Sequence, residues 1–247
     1  MRPVLVRLIG FSVLAAVAGC ASSPPRLGEA ALAAAKSPRT WVPLAGAAVL
    51  SVGDLDDSLS DWAADERPLF GDSAAAVSDD LRNAAVAGFF VTALATPADG
   101  ERQRRIGWGV TALYAQGGVV EGLKDVVGRQ RPDGSGDRSF PSGHAGVASS
   151  AAALGQRNLR ALDVAPGWRR GASIGFEALA VGTAWARMEA EKHHAADVLA
   201  GYAIGHFITA FVAEAFIEPG LPAAELTFQG FGNGGVLRLT VPLRASR

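Results

Sequence analysis

Uncharged, largely apolar runs alternate along this chain with short charged segments that hold most of its Pro and Gly signals. The longest such runs beyond residue 20 are Asn83 to Ala98, Ile106 to Val120 and Val198 to Ala213, and a fourth, Gly171 to Ala186, is broken only by Glu177. None reaches the ~20 apolar residues that a bilayer span needs, which favours buried helices of a water-soluble bundle. Pro and Gly signals at the ends of the runs predict helices near 80–97, 103–130, 143–156, 168–186 and 194–217. The stretch Gly53 to Asp80 is acidic and interrupted by Pro68 and Gly71, so loop and short helix are expected there, shaping the mouth of a site. The C-terminal segment follows a different pattern. Leu226 to Gln229 alternates, Gly232-Asn233-Gly234-Gly235 supplies turn residues and Val236 to Val241 resumes in strand formers, which predicts a β-hairpin. The expected fold class is therefore all-α, a multi-helix bundle with a C-terminal β-hairpin, and no internal repeat is visible.

A chain of 247 residues is long enough for one domain whose core needs no disulfide. Abundant Ala and Gly with few aromatics suit helices whose axes approach closely. The formal net charge of −1 gives no basic footprint for a nucleic-acid partner. At the N-terminus, Arg2 and Arg7 precede the short apolar run Leu8 to Gly19, which has the form of a secretory signal. It ends in Val17-Ala18-Gly19-Cys20, and Cys20 is the single cysteine of the chain. This resembles a bacterial lipobox, which implies acylation of Cys20 and a membrane contact through an N-terminal lipid anchor. Ala21, in place of an inner-membrane retention Asp, points to the outer membrane and a periplasm-facing domain. The expected organisation is a signal peptide at 1–19, a lipidated tether at 20–40, a helical domain at 41–220 and the tail at 221–247.

Chemistry concentrates between residues 124 and 197. The pattern reads Lys124, six residues, Arg131-Pro132, eight residues, Pro141-Ser142-Gly143-His144, forty-two residues, Arg187, five residues, His193, three residues, Asp197. Seven residues nearly complete two helical turns, so Lys124 and Arg131 are expected on one helix face, with Arg131 at its C-terminal end because of Pro132. Ser142 stands where an N-cap belongs, before an Ala-rich helical segment. The free amides of that first turn then form an anion site, and Gly143 lets an anion approach the backbone. His193 and Asp197, four apart, are expected on one helix face, where the carboxylate would fix the ring through Nδ1–H. Two readings compete, a surface His/Asp pair and a zinc site of His193, His194 and Asp197, the latter disfavoured by three neighbouring cations. Arg129 and Arg138 are expected on the surface, His194 to face away from His193, and His206 to be a core histidine.

Taken together, these motifs resemble the type 2 phosphatidic acid phosphatase superfamily, which includes bacterial nonspecific acid phosphatases, lipid phosphate phosphatases and vanadium-dependent haloperoxidases. The resemblance covers Lys124 to Asp197; Ala186 departs from it, since the family usually carries Ser before this arginine. It implies a phosphatase for phosphomonoesters or lipid phosphates and diphosphates, without a metal or other cofactor. By the same resemblance His193 is the nucleophile, His144 the general acid and Asp197 the residue that orients His193, while Lys124, Arg131, Ser142, Gly143 and Arg187 hold the phosphate. Two alternatives stand beside it, a vanadium haloperoxidase and a catalytically weak envelope lipoprotein that binds phosphate groups. Substrate identity and oligomeric state have no signal in the sequence.

Overall fold

The computed structural model describes residues 27–98, 100–218, 225–231 and 234–240; the signal segment and Cys20 lie outside them. Among these residues are eight α-helices: α1 Leu27–Lys36, α2 Pro38–Leu50, α3 Leu55–Glu66, α4 Ala74–Leu94, α5 Glu101–Val127, α6 Gly143–Ala161, α7 Pro166–Glu189 and α8 Ala195–Val212. The all-α expectation holds. The C-terminal strands β1 Glu225–Phe231 and β2 Gly234–Thr240 pair antiparallel, from Glu225 opposite Thr240 to Phe231 opposite Gly234. The turn residues Gly232 and Asn233 lie outside the described residues.

Local chemistry sets most helix ends. Pro38 and Pro166 stand in the first turns of α2 and α7, where a missing N–H costs nothing. Helix α5 stops three residues short of its predicted end because Gly128, at φ 59°, takes the left-handed conformation that closes a helix. Arg131 therefore lies beyond α5, in the loop leading to α6, and not on the same helix as Lys124. The expected tether also differs from Leu27 onward. Residues 27–36 form α1, whose Ala30 and Ala34 are buried, and α1 packs against α8. The acidic stretch contains a full helix, α3, and α4 begins at Ala74, six residues before its predicted start.

Helices α6 and α8 form the centre, with α2 and α5 packed on α8 and α4, α5 and α7 on α6. Their contact is backbone on backbone. A Cβ on Gly201 would lie 2.2 Å from the Ser142 carbonyl oxygen, and one on Gly205 would lie 2.2 Å from that of Gly146. No side chain fits either gap, and the closeness lets Ser149 and Ser150 donate to the Tyr202 and Gly205 carbonyls at 2.9 and 3.0 Å. This approach sets the first turn of α6 beside the first turn of α8. Apolar packing at the other end of the bundle, around Phe89, Leu154 and Ile217, completes the core. By length and composition, one helical stretch among the described residues could cross a membrane, Ala195–Ile217, and it is mostly buried within the bundle.

Candidate active site

Ser142 caps α6, its hydroxyl accepting from the Ala145 amide at 3.4 Å while its own N–H donates to the Asp197 carbonyl oxygen at 2.9 Å. The amides of Gly143 and His144 thus open the helix as first-turn donors. Lys124 reaches over them: a Cβ on Gly143 would lie 3.7 Å from its Nζ, which also pairs with Glu121 at 3.4 Å. From the C-terminal end of α7 comes Arg187, only 7% exposed, donating through Nη1 to Ser78 Oγ at 3.3 Å and leaving its buried Nε without an acceptor. Burial, then the charge of Arg131, pushes the Arg187 pKa down to about 10. A buried guanidinium with an unused donor, close to a second arginine, can hold an anion.

His193 is 1% exposed and lies just before α8. Its Nδ1 donates to the Ser139 carbonyl oxygen at 2.7 Å. A carbonyl can only accept, so Nδ1 carries the proton and Nε2 keeps its lone pair. Burial, followed by the charges of Arg187, Lys124 and Arg131, holds the ring's pKa well below its usual value, so the ring is neutral. The expected helix-face pair with Asp197 is replaced by a different arrangement, because the chain enters α8 only at Ala195. Asp197 Oδ2 stands 3.9 Å from His193 Nδ1, beyond hydrogen-bond reach. That carboxylate instead accepts from Ser139 Oγ at 2.5 Å, from the His194 amide at 2.9 Å and from Arg129 Nη1 at 3.0 Å. It is fully buried, and burial raises its pKa against the pull of Ser139 and Arg129.

His144 projects from the first turn of α6 toward α4. Its Nε2 lies 2.8 Å from Asp79 Oδ1 and 2.6 Å from Arg82 Nη1, two groups that also pair with each other at 3.1 Å. A neutral ring accepts from Arg82, and a protonated ring donates to Asp79, so this pair can serve both states. Burial, then the charge of Arg187, lowers the His144 pKa to about 4.

The structure thus brings together Lys124, Arg131, Ser142, Gly143, His144, Arg187, His193 and Asp197. Sequence reasoning missed Ser78, Asp79 and Arg82 on α4, and Ser139. The only signal for the first three was that Asp79 and Arg82 fall one helical turn apart. Arg129 was expected on the surface and instead sits against Asp56 at 2.7 Å, Asp57 at 3.5 Å and Asp197. Arg138 is at the surface, paired with Glu121 and Asp125. His206 is a core histidine whose Nδ1 is 2.9 Å from Thr40 Oγ1.

Among the described residues a cation has one further candidate set in Asp56, Asp57 and His194, whose ligand atoms cluster within 4.8 Å. Arg129 already binds both of these carboxylates and Asp197, so the positive charge this acidic group needs is supplied by a guanidinium. No curated protein and no solved structure matches the chain. The sequence model of the PAP2 superfamily matches residues 106–218, a span holding every residue of the cradle and both histidines. That superfamily's activity is of the phosphatase type, on substrates that bear phosphate. The region 106–218, which holds the two central helices, the cradle residues and both histidines, is thus similar to the PAP2 superfamily.

Proposed function

We propose that the protein is a metal-independent phosphatase that works through a phosphohistidine. The single observation that carries this reading is the buried, neutral His193, whose Nδ1–H is committed to the Ser139 carbonyl so that Nε2 is free to attack. In the first step Nε2 forms a bond to phosphorus and the bond to the ester oxygen breaks. Lys124, Arg131, Arg187 and the first-turn amides of α6 stabilise the charge on the phosphoryl oxygens. His144 gives its proton to the departing alkoxide, then takes one from the water that attacks the phosphohistidine, releasing phosphate and restoring His193. A bound phosphate dianion offsets the charge of Arg187 that depresses the His144 pKa, so the acid becomes protonated when substrate is present.

The reading extends to location and substrate. Lipidation at Cys20 would hold the domain to the periplasmic side of a membrane, and exposed Trp41, Val91, Tyr114, Trp168, Ile174 and Val181 on α2, α4, α5 and α7 are apolar surface suited to lipid contact. A phosphate or diphosphate ester carried by a lipid fits that setting. The test is phosphate release by purified protein from a panel of soluble and lipid phosphates, with and without chelator. Turnover of lipid phosphates, unaffected by chelator, is expected; activity lost to chelator and restored by zinc or magnesium overturns the mechanism.

A further inference from the structure

Arg129 is half-buried and lies outside the phosphate cradle. It leaves the C-terminal end of α5 and its Nη1 meets two buried carboxylates, Asp56 Oδ2 at 2.7 Å and Asp197 Oδ1 at 3.0 Å. Its backbone is engaged as well, since the Ser139 N–H donates to the Arg129 carbonyl at 2.9 Å. Ser139 in turn bonds Asp197 through its hydroxyl and His193 through its carbonyl. The far anchor is α3. Asp56 Oδ1 accepts from the Ala196 amide at 2.7 Å and Ser60 Oγ accepts from the Ala195 amide at 2.9 Å, so α3 caps two first-turn donors of α8. The chain Asp56–Arg129–Asp197–Ser139–His193 is continuous, and all but Arg129 are buried.

We propose, building on the phosphohistidine reading, that Arg129 with Asp56 is the positioning pair that locks the His193 ring for attack. Two links reach the ring from Arg129, one through the Asp197 carboxylate to the Ser139 hydroxyl and one through the Ser139 backbone. Both fix the single carbonyl that holds Nδ1–H. Helix α3 thereby becomes part of the catalytic apparatus although none of its side chains meets the phosphate cradle. The titratable and charged groups facing Asp197 are Arg129 from the end of α5, His194 and the neutral His193 from the entry to α8, and Asp56 and Asp57 of α3 behind Arg129. Arg129 favours the ionised carboxylate in a site where burial disfavours it, and Asp56 moderates that effect.

The test compares Arg129→Gln, Arg129→Lys and Asp56→Asn in the full chain with p-nitrophenyl phosphate, and reads the His193 ring by 15N NMR of histidine-labelled protein. For Arg129→Gln, kcat falls on the order of 10²-fold, the cost of a small misplacement of a reacting group, while KM changes little because the cradle is untouched. The acid limb of its pH profile moves to higher pH, since Asp197 now protonates more readily. Asp56→Asn keeps an acceptor for the Ala196 amide but leaves the whole charge of Arg129 to Asp197, so its acid limb moves the opposite way. Arg129→Lys recovers part of the kcat. In the spectra, wild-type His193 is a single Nδ1–H tautomer and Arg129→Gln gives a mixture. Losses confined to KM, acid limbs that move together or stay fixed, or a His193 tautomer unchanged in Arg129→Gln overturn the proposal. If Arg129→Gln does not fold, Asp56→Asn and Arg129→Lys decide by the same readouts. A wild-type protein that releases no phosphate removes the phosphatase reading, while the ring spectra still test the positioning pair.

Discussion

Replacing Arg187 by glutamine removes a guanidinium that the fold holds under electrostatic stress. Arg187 is 7% exposed, and burial, then the charge of Arg131, pushes its pKa down from the usual guanidinium range to about 10. At 1.36 kcal/mol per factor of ten, the charged form is disfavoured by on the order of 3 kcal/mol in the empty site. A phosphoryl group that binds there relieves the stress and meets the unused Nε donor, so about that much of the binding free energy should depend on this side chain. Arg187→Gln is then expected to weaken inhibition by vanadate or inorganic phosphate on the order of 10²-fold. It should lower kcat/KM by at least as much, because charge on the phosphoryl oxygens grows toward the transition state. Arg187→Lys should recover only part of this, since a single ammonium cannot reach both Ser78 and the anion in the planar fork that arginine offers. Inhibition constants and kcat/KM on p-nitrophenyl phosphate measure both effects. A change of less than about threefold in vanadate affinity would refute the reasoning, since 3 kcal/mol corresponds to about two powers of ten.

Three further outcomes follow from the same geometry. Because His144 is an acid with a pKa near 4 in the empty site, kcat/KM should decline as pH rises through that value. The basic limb of kcat should lie at higher pH, since bound phosphate dianion raises this pKa; the two pH profiles should therefore separate, and identical profiles would contradict the assignment. Gly201→Ala puts a methyl group against the Ser142 backbone and should cost about 1–3 kcal/mol. The midpoint of thermal unfolding should fall with a loss of activity, whereas Gly107→Ala, whose methyl meets nothing within 4 Å, should do neither. His144→Ala should retain part of its first step with p-nitrophenyl phosphate, whose leaving group departs without a proton, and should accumulate phosphoenzyme that rapid quenching can trap.

The sequence made the cradle legible because its parts are local. A Pro-Ser-Gly-His run before an Ala-rich segment has one sensible folding, a capped helix start, and Ser142 caps α6 as expected. Helix placement was legible for the same reason, and α5 departs from its expected end only because Gly128 closes it at Val127. What pairs with what was not legible. The spacing of four from His193 to Asp197 suggested a helical face, but the segment before Ala195 is extended at His194, so the carboxylate turns to Ser139 and Arg129. Arg129 resembles any surface arginine until α3 is folded against α8, and nothing in the pattern of residues 53–80 announces that Asp56 and Ser60 cap another helix. The contribution of α4 was hidden likewise, since Ser78, Asp79 and Arg82 meet Arg187 and His144 from more than 60 positions away. Local hydrogen-bonding chemistry is written in neighbouring residues, whereas long-range pairs depend on packing of small side chains that many sequences share.

Rapid-quench trapping of the phosphoenzyme tests most directly whether His193 is the nucleophile. With 32P-labelled substrate, acid-labile and alkali-stable label should appear on the wild-type chain and map by peptide analysis to His193, and His193→Ala should carry none and turn over no ester. Label on His193→Ala protein, or burst kinetics with no phosphohistidine at this position, would contradict it.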